Sequence, residues 1–174
     1  MVVKYTNIGQ IPKNVIFSLD NDTLNIKGKY SNIDISISGL KLVISKKNDL
    51  ILYYKSSLLK DINVIVAKIK NALIGVSYLF KVKLSIVGVG YRFSLNDNTL
   101  SMRVGYNHLV DVTIKENIIC KVMNSTEIIL LSNDLQNLVL FCSNIRNLKK
   151  PEVYKGKGIR FSTEIIRLKK PQMK

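Results

Sequence analysis

The sequence predicts an α+β protein of two similar domains in tandem, each an antiparallel sheet packed against one helix. Three observations support this prediction: an internal repeat, strand-like apolar alternation, and one helix-periodic segment near the end of each half. The chain has 174 residues, of which 47% are hydrophobic, and that composition can supply two small cores.

The internal repeat relates residues 22–37 to residues 98–114. The two segments read DTLNIKGKYSNIDISI and NTLSMRVGYNHLVDVTI, and their apolar, glycine and aspartate positions correspond in order. Such self-similarity is typical of a duplicated unit. We therefore expect an N-terminal domain at residues 1–80 and a C-terminal domain at residues 81–174.

Strand-like alternation opens each half. The alternating apolar residues are Leu24, Ile26, Ile33, Ile35 and Ile37 in the first half and Leu84, Ile86, Leu100 and Met102 in the second. Residues 20–22 (DND) and 96–98 (NDN) separate the runs. Both triplets have the polar composition of hairpin loops, so antiparallel pairing is predicted on either side of them.

A helix-periodic segment closes each half. Residues 61–76 and 133–149 repeat their apolar side chains every three or four positions, which indicates a helix with one buried face. Those side chains are Ile62, Ile65, Val66, Ile69 and Leu73 in the first, and Leu135, Leu138, Val139, Cys142 and Ile145 in the second, where Arg146 has the same spacing. Asn133 and Asp134 are candidate caps for the second helix, and Pro151 stops it.

Positive charge is concentrated at the C-terminus. The formal net charge is +15, and residues 146–174, called here the basic C-terminal segment, hold 10 basic and 2 acidic residues. Such an imbalance favours a polyanionic partner. The predicted nucleic-acid-binding residues are Lys149, Lys150, Tyr154, Lys155, Gly156, Lys157, Gly158, Arg160, Arg167, Lys169 and Lys170.

The stretch PEVYKGKGIR at residues 151–160 is the centre of that prediction. Its glycines permit unusual backbone angles, and a turn with free amides and two ammonium groups suits phosphate. The alternative is a solvated turn with no partner. The aromatic residues are scattered, so we expect recognition of RNA shape and backbone rather than a base-stacking platform.

No enzymatic site is predicted. GVG at residues 88–90 does not continue as a dinucleotide-binding motif, and KGKG at residues 155–158 lacks the residues of a nucleotide-hydrolase loop. His108 is the one histidine, and we expect a structural or RNA-facing role for it. Cys120 and Cys142 form no metal-binding pattern and are read as reduced, partly buried residues. We expect no cofactor, no metal, no small-molecule substrate and no membrane span.

Three stretches of the second half resemble a known family. IVGVGYRF at 86–93, VGYNHLVDV at 104–112 and PEVYKGKGI at 151–159 are similar to large-subunit ribosomal protein six of the bacterial and organellar type. The resemblance implies tandem α+β domains, no catalysis, and neighbouring large-subunit proteins as partners. It also implies binding of large-subunit rRNA near the sarcin–ricin loop and stalk base, with Tyr154 to Gly158 at the RNA and Arg160 close by.

Two alternatives stay open at this point. A non-ribosomal protein that binds polyanions or anionic membrane surfaces would also be basic, although its cations would suit an amphipathic helix better than a turn and tail. The abundance of Lys, Asn and Ile and the absence of a recognisable targeting segment favour a mitochondrial ribosome, with a plastid or a bacterial cytoplasm as alternatives.

Overall fold

The computed structural model describes residues 3–12, 14–20, 23–37, 41–44, 49–55 and 59–169. The chain divides into two units, Met1–Leu79 and Phe80–Lys174, called here the first and second units. This division lies one residue before the boundary expected from the sequence.

The first unit contains two three-stranded antiparallel sheets and one helix. The sheet orders are β1-β6-β5 and β2-β3-β4, and helix α1 follows the last strand. Its elements are β1 Val3–Gln10, β2 Ile16–Asp20, β3 Thr23–Lys27, β4 Asn32–Ser36, β5 Lys41–Ile44, β6 Asp49–Lys55 and α1 Leu59–Ser77. The core joins one face of α1 to both sheets through buried residues such as Leu24, Leu52 and Ile69.

The second unit repeats this plan and adds one strand. Its sheets have the orders β10-β9-β8 and β11-β12-β7-β13. The elements are β7 Phe80–Val87, β8 Arg92–Asn96, β9 Thr99–Arg103, β10 Val110–Thr113, β11 Ile118–Asn124, β12 Glu127–Ser132, α2 Leu135–Leu148 and β13 Gly158–Phe161. Leu84, Met102, Leu130, Cys142 and Ile159 belong to its single buried core.

Strand register confirms the internal repeat. In the first unit Leu24 lies opposite Leu19 on one side and Ile35 on the other. In the second unit Leu100 holds the same position, between Leu95 and Val112. Because the side-chain period of a strand is two residues, equal registers place the equivalent apolar residues on the buried face in both units. The predicted α+β class with antiparallel sheets is thereby confirmed.

The hairpin prediction is confirmed for the second unit. Asn96 lies opposite Thr99, so Asp97 and Asn98 form the two-residue loop between β8 and β9. Asp97 has a φ of 47°, the left-handed region that tight hairpin loops require. In the first unit Asp20 lies opposite Thr23 in the same way, and residues 21 and 22 are outside the described part.

Both predicted helices exist, with small differences at their ends. Asp134 caps α2, because its carboxylate accepts hydrogen bonds from the amides of Gln136 at 2.8 Å and Asn137 at 3.3 Å. The assignment of Val139 to the buried face was wrong, since Val139 is 44% exposed and Phe141 is buried instead. Position 139 lies a quarter turn off the stripe formed by residues 138, 141, 142 and 145.

The two cysteines are free, as expected. Burial raises the pKa of the Cys120 thiol to about 11 and that of Cys142 to about 12, the latter helped by the neighbouring Cys120. Both thiols are therefore protonated at neutral pH and poor nucleophiles. In the part of the chain that the structure describes, neither helix has the length and apolar composition that crossing a membrane requires.

Candidate nucleic-acid interface

Backbone hydrogen bonds close a tight loop between α2 and β13. The Glu152 amide donates to the Lys157 carbonyl at 2.9 Å, and the Gly156 amide donates back to the Glu152 carbonyl at 2.9 Å. At the base of the loop, the Ile159 amide donates to the Lys149 carbonyl at 2.8 Å. The expectation of free amides is wrong for Gly156, so at that position the loop offers side-chain cations rather than a backbone donor.

Gly156 in the loop and Gly158 at the start of β13 differ in the space around them. Gly158 is buried with φ +142°, and a Cβ there would lie 2.6 Å from the Lys150 carbonyl oxygen. Gly156 has φ +68° and more room, with Leu168 the nearest atom to an added Cβ at 3.5 Å. Gly158 therefore lets the chain pass close to its own backbone, and Gly156 supplies a left-handed turn.

The chain after β13 folds back onto this loop. The Lys169 amide donates to the Val153 carbonyl at 2.8 Å. Glu164 fixes the returning segment to α2, because its two carboxylate oxygens accept from Nε and Nη2 of Arg146. The hydrogen bond from Arg146 is the main reason that the pKa of Glu164 is lowered. The positive charge of Arg146 is thus compensated by Glu164, although Arg146 belongs to the basic C-terminal segment.

The other cations of the segment that the structure describes have no acidic partner among the described residues. The ion pairs found there are Arg146–Glu164 and Lys83–Glu127, and neither contains a predicted nucleic-acid-binding residue. Exposed members of the predicted set are Lys150, Tyr154, Lys155, Arg167 and Lys169; half-buried members are Lys149, Gly156, Lys157 and Arg160; Gly158 is buried; Lys170 lies outside the described residues. Unpaired cations on a rigid loop are well suited to a polyanion.

Arg160 stands apart from the loop because it belongs to strand β13. Its Nε donates to the Ser85 hydroxyl on the neighbouring strand at 3.4 Å. Ile159 is fully buried against α2, so Arg160 projects from the opposite face of the sheet. The sequence predicted a turn and tail in this region and missed the strand, whose partner β7 lies more than 70 residues away.

An aromatic pair extends the candidate interface beyond the predicted residues. The rings of Tyr106 and His108 are stacked, with centroids 5.9 Å apart and planes 16° from parallel. Lys149 Nζ lies 5.2 Å from the Tyr106 ring centroid, and the Tyr106 hydroxyl donates to the Leu148 carbonyl at 2.9 Å. The sequence suggested no aromatic cluster, because Tyr106 and Lys149 are 43 positions apart and only folding joins them.

The three stretches that carry the family resemblance meet at one end of the second unit. Tyr91 packs so closely that a Cβ on Gly88 or Gly105 would lie 2.6 or 2.5 Å from its side chain. The loop that follows Gly105 contacts the C-terminal end of α2 through Tyr106. Strand β13 completes the contact, because Gly158 pairs with Val87 next to the first loop. We call this end of the second unit the loop-bearing end.

The fold and this surface define a two-unit α+β protein with a cationic, loop-bearing end on its second unit. A family model described as ribosomal protein L6 matches residues 87–162. The chain is 33% identical to large ribosomal subunit protein uL6 of Psychrobacter arcticus, over 94% of each chain. It is 35% identical to uL6 of Mycoplasmoides gallisepticum over 90% of this chain and 88% of that one, and 35% identical to uL6c of Trieres chinensis over 92% and 91%.

The similarity to these relatives covers nearly the whole chain, so the chain belongs to the ribosomal protein L6 family. That membership makes it a protein of the large ribosomal subunit, and it agrees with the resemblance carried by the three stretches of the second half. The motif-bearing stretches lie almost entirely within the matched residues 87–162.

Proposed function

We propose that this protein is a structural component of the large ribosomal subunit that binds large-subunit rRNA through the loop-bearing end of its second unit. The observation that carries the proposal is the closed loop at residues 152–157. It presents Lys155 and Lys157 without acidic partners among the described residues, beside Lys149 and Lys150. A preorganised loop loses little conformational freedom on binding, so its charges contribute fully to phosphate contacts.

The proposed role is mechanical and electrostatic, without catalysis. Cations at the loop-bearing end neutralise phosphates where RNA segments approach each other, and the packed second unit holds those cations in fixed positions. By the family resemblance, the contact region is near the sarcin–ricin loop and the stalk base, with other large-subunit proteins as neighbours. No cofactor takes part in this role.

We further propose that the ribosome is mitochondrial. The support is compositional: the sequence is rich in Lys, Asn and Ile, as AT-rich organellar genes are. Sedimentation of the tagged protein from organelle and cytosol fractions tests this. Cofractionation with large subunits from mitochondria is the expected result. Cofractionation with plastid or cytoplasmic large subunits would contradict the proposed compartment but not the ribosomal role. Migration with membranes would contradict the ribosomal role.

Charge reversal in the closed loop tests the RNA contact. We expect Lys155→Glu with Lys157→Glu to leave the free protein folded and to weaken binding to large-subunit rRNA. The slope of log K against log salt should flatten by roughly 1 for each lysine, because fewer counterions are released. Circular dichroism and filter binding at several salt concentrations measure the two quantities.

Helix α1 offers a matched control. Lys68 and Lys70 are exposed lysines of the first unit and lie two positions apart, the same spacing as that of Lys155 and Lys157 in the second. Lys68→Glu with Lys70→Glu changes net charge equally, so its effect measures the general electrostatic contribution. An equal loss of affinity in both double variants would show that the closed loop is no specific contact.

A further inference from the structure

Two arginines face each other across strands β8 and β9 at the loop-bearing end. Arg92 and Arg103 are direct partners in the antiparallel register, and both are exposed. Directly opposite residues have Cβ atoms about 4.5–5.5 Å apart and share one face of the sheet. The two arginine side chains therefore leave the sheet from adjacent positions on its solvent side.

Such a pair is unfavourable in the free protein, because like charges directly opposite in a sheet repel. Asp111 lies on the same face, opposite Ser101, which is two residues before Arg103. Within the described residues, however, no ion pair joins Asp111 or any other carboxylate to either arginine. No carboxylate among the described residues therefore compensates the repulsion.

The use of arginine here is selective. The chain contains 22 lysines and 5 arginines, and all 5 arginines lie in the second unit although the first unit holds 11 lysines. Arginine differs from lysine in its planar fork of donors, which binds phosphate oxygens in pairs. The equivalent register position in the first unit holds Ile16 opposite Lys27, with no arginine.

We infer that Arg92 and Arg103 together bind a phosphate of the RNA backbone. This site is separate from the closed loop at residues 152–157. The inference rests on the proposed function and adds a second contact to it. Arg92 follows Tyr91, and Arg103 precedes the loop that carries Tyr106 and His108. The pair therefore borders the same end of the unit, and one RNA segment can contact both cationic sites.

The test uses the full chain and measures two quantities with opposite expected signs. Arg92→Gln and Arg103→Gln should each weaken binding to large-subunit rRNA by about ten-fold and flatten the salt slope by roughly 1. The same changes should raise the melting temperature of the free protein by about 1–4 °C, because they remove the repulsion. A residue with a purely structural role would lower both stability and binding.

Inorganic phosphate provides a second readout. Phosphate should stabilise the unmodified protein more than sodium chloride of equal ionic strength does, and this excess should be smaller in either variant, which keeps the closed loop but lacks one arginine. Arg92→Lys keeps the positive charge but loses the planar guanidinium group, so this variant should retain part of the affinity for rRNA. If a glutamine variant fails to fold, this lysine variant still tests the inference: affinity equal to that of arginine would overturn it.

Lys27→Gln is the matched control, because Lys27 holds the register position of Arg103 in the first unit. It should change RNA affinity far less than Arg103→Gln does. Unchanged affinity in both arginine variants, together with weakened binding when Lys155 and Lys157 are reversed, would overturn the arginine site and leave the proposed function standing. Failure of the unmodified protein to bind large-subunit rRNA better than unrelated RNA would overturn both.

Discussion

The two units share a backbone plan and differ in surface chemistry. Strands β2 to β4 and β8 to β10 pair in the same register, and one helix closes each core. The cross-strand pair of Ile16 and Lys27 in the first unit corresponds to that of Arg92 and Arg103 in the second. The comparison teaches that the repeated fold is a scaffold, and that binding chemistry belongs to the residues on its surface.

The two units also differ by one additional strand in the second unit. In the second unit β13 pairs with β7 and carries the closed loop at its start, whereas the corresponding strand β1 has a single neighbour, β6, among the described residues. The same addition brings Arg160 onto the sheet and lets Arg146 pair with Glu164. We conclude that the segment after α2 adds a strand and a cationic loop to a copy of the fold.

The largest loss of stability is expected at Gly158, where the start of β13 passes close to the backbone of Lys150. Gly158→Ala places a Cβ 2.6 Å from the Lys150 carbonyl oxygen and should destabilise the second unit by about 2–4 kcal/mol. Gly156→Ala meets only the end of Leu168 and should cost about 1 kcal/mol through its left-handed φ. Urea denaturation compares the two, and equal costs would mean that the loop is not packed as described.

A smaller effect is expected from the ion pair that holds the returning segment. Glu164→Gln should destabilise the second unit by about 1 kcal/mol at neutral pH. The pKa of Glu164 is lower in the folded protein than its ordinary value of 4.5. The ion pair therefore stabilises the folded protein fully above 4.5, and this stabilisation is lost as pH falls through the folded pKa. The difference between variant and unmodified protein should therefore shrink in acid, and a difference that persisted there would contradict the assignment.

The smallest effect is kinetic and confined to the second unit, which contains both cysteines. With thiol pKa values of about 11 and 12, Cys120 and Cys142 should react slowly with a maleimide at neutral pH. The half-buried Cys120 should be modified before the buried Cys142. Because the first unit has no cysteine, the labelling rate reports opening of the second unit alone, and rapid labelling of Cys142 would contradict its buried position.

The sequence predicted what depends on local periodicity. Alternating residues such as Leu24 and Leu100 fixed the strands, and three- and four-residue spacing fixed the helices, because burial of one face imposes those periods. Strand β13 was missed because it has only four residues and its partner is distant in sequence. The contact of Tyr106 with Lys149 was missed for the same reason, whereas the pairing of Arg92 with Arg103 depends on the exact register of the predicted hairpin.

Mapping where the protein touches rRNA tests the central claim most directly. The full chain would be photo-crosslinked to large-subunit rRNA, and the modified peptides identified by mass spectrometry. We expect crosslinks in the second unit, at Tyr106, His108 and Tyr154 and in the peptides that contain Arg92 and Arg103. Crosslinks concentrated in the first unit would contradict the assignment of RNA binding to the loop-bearing end.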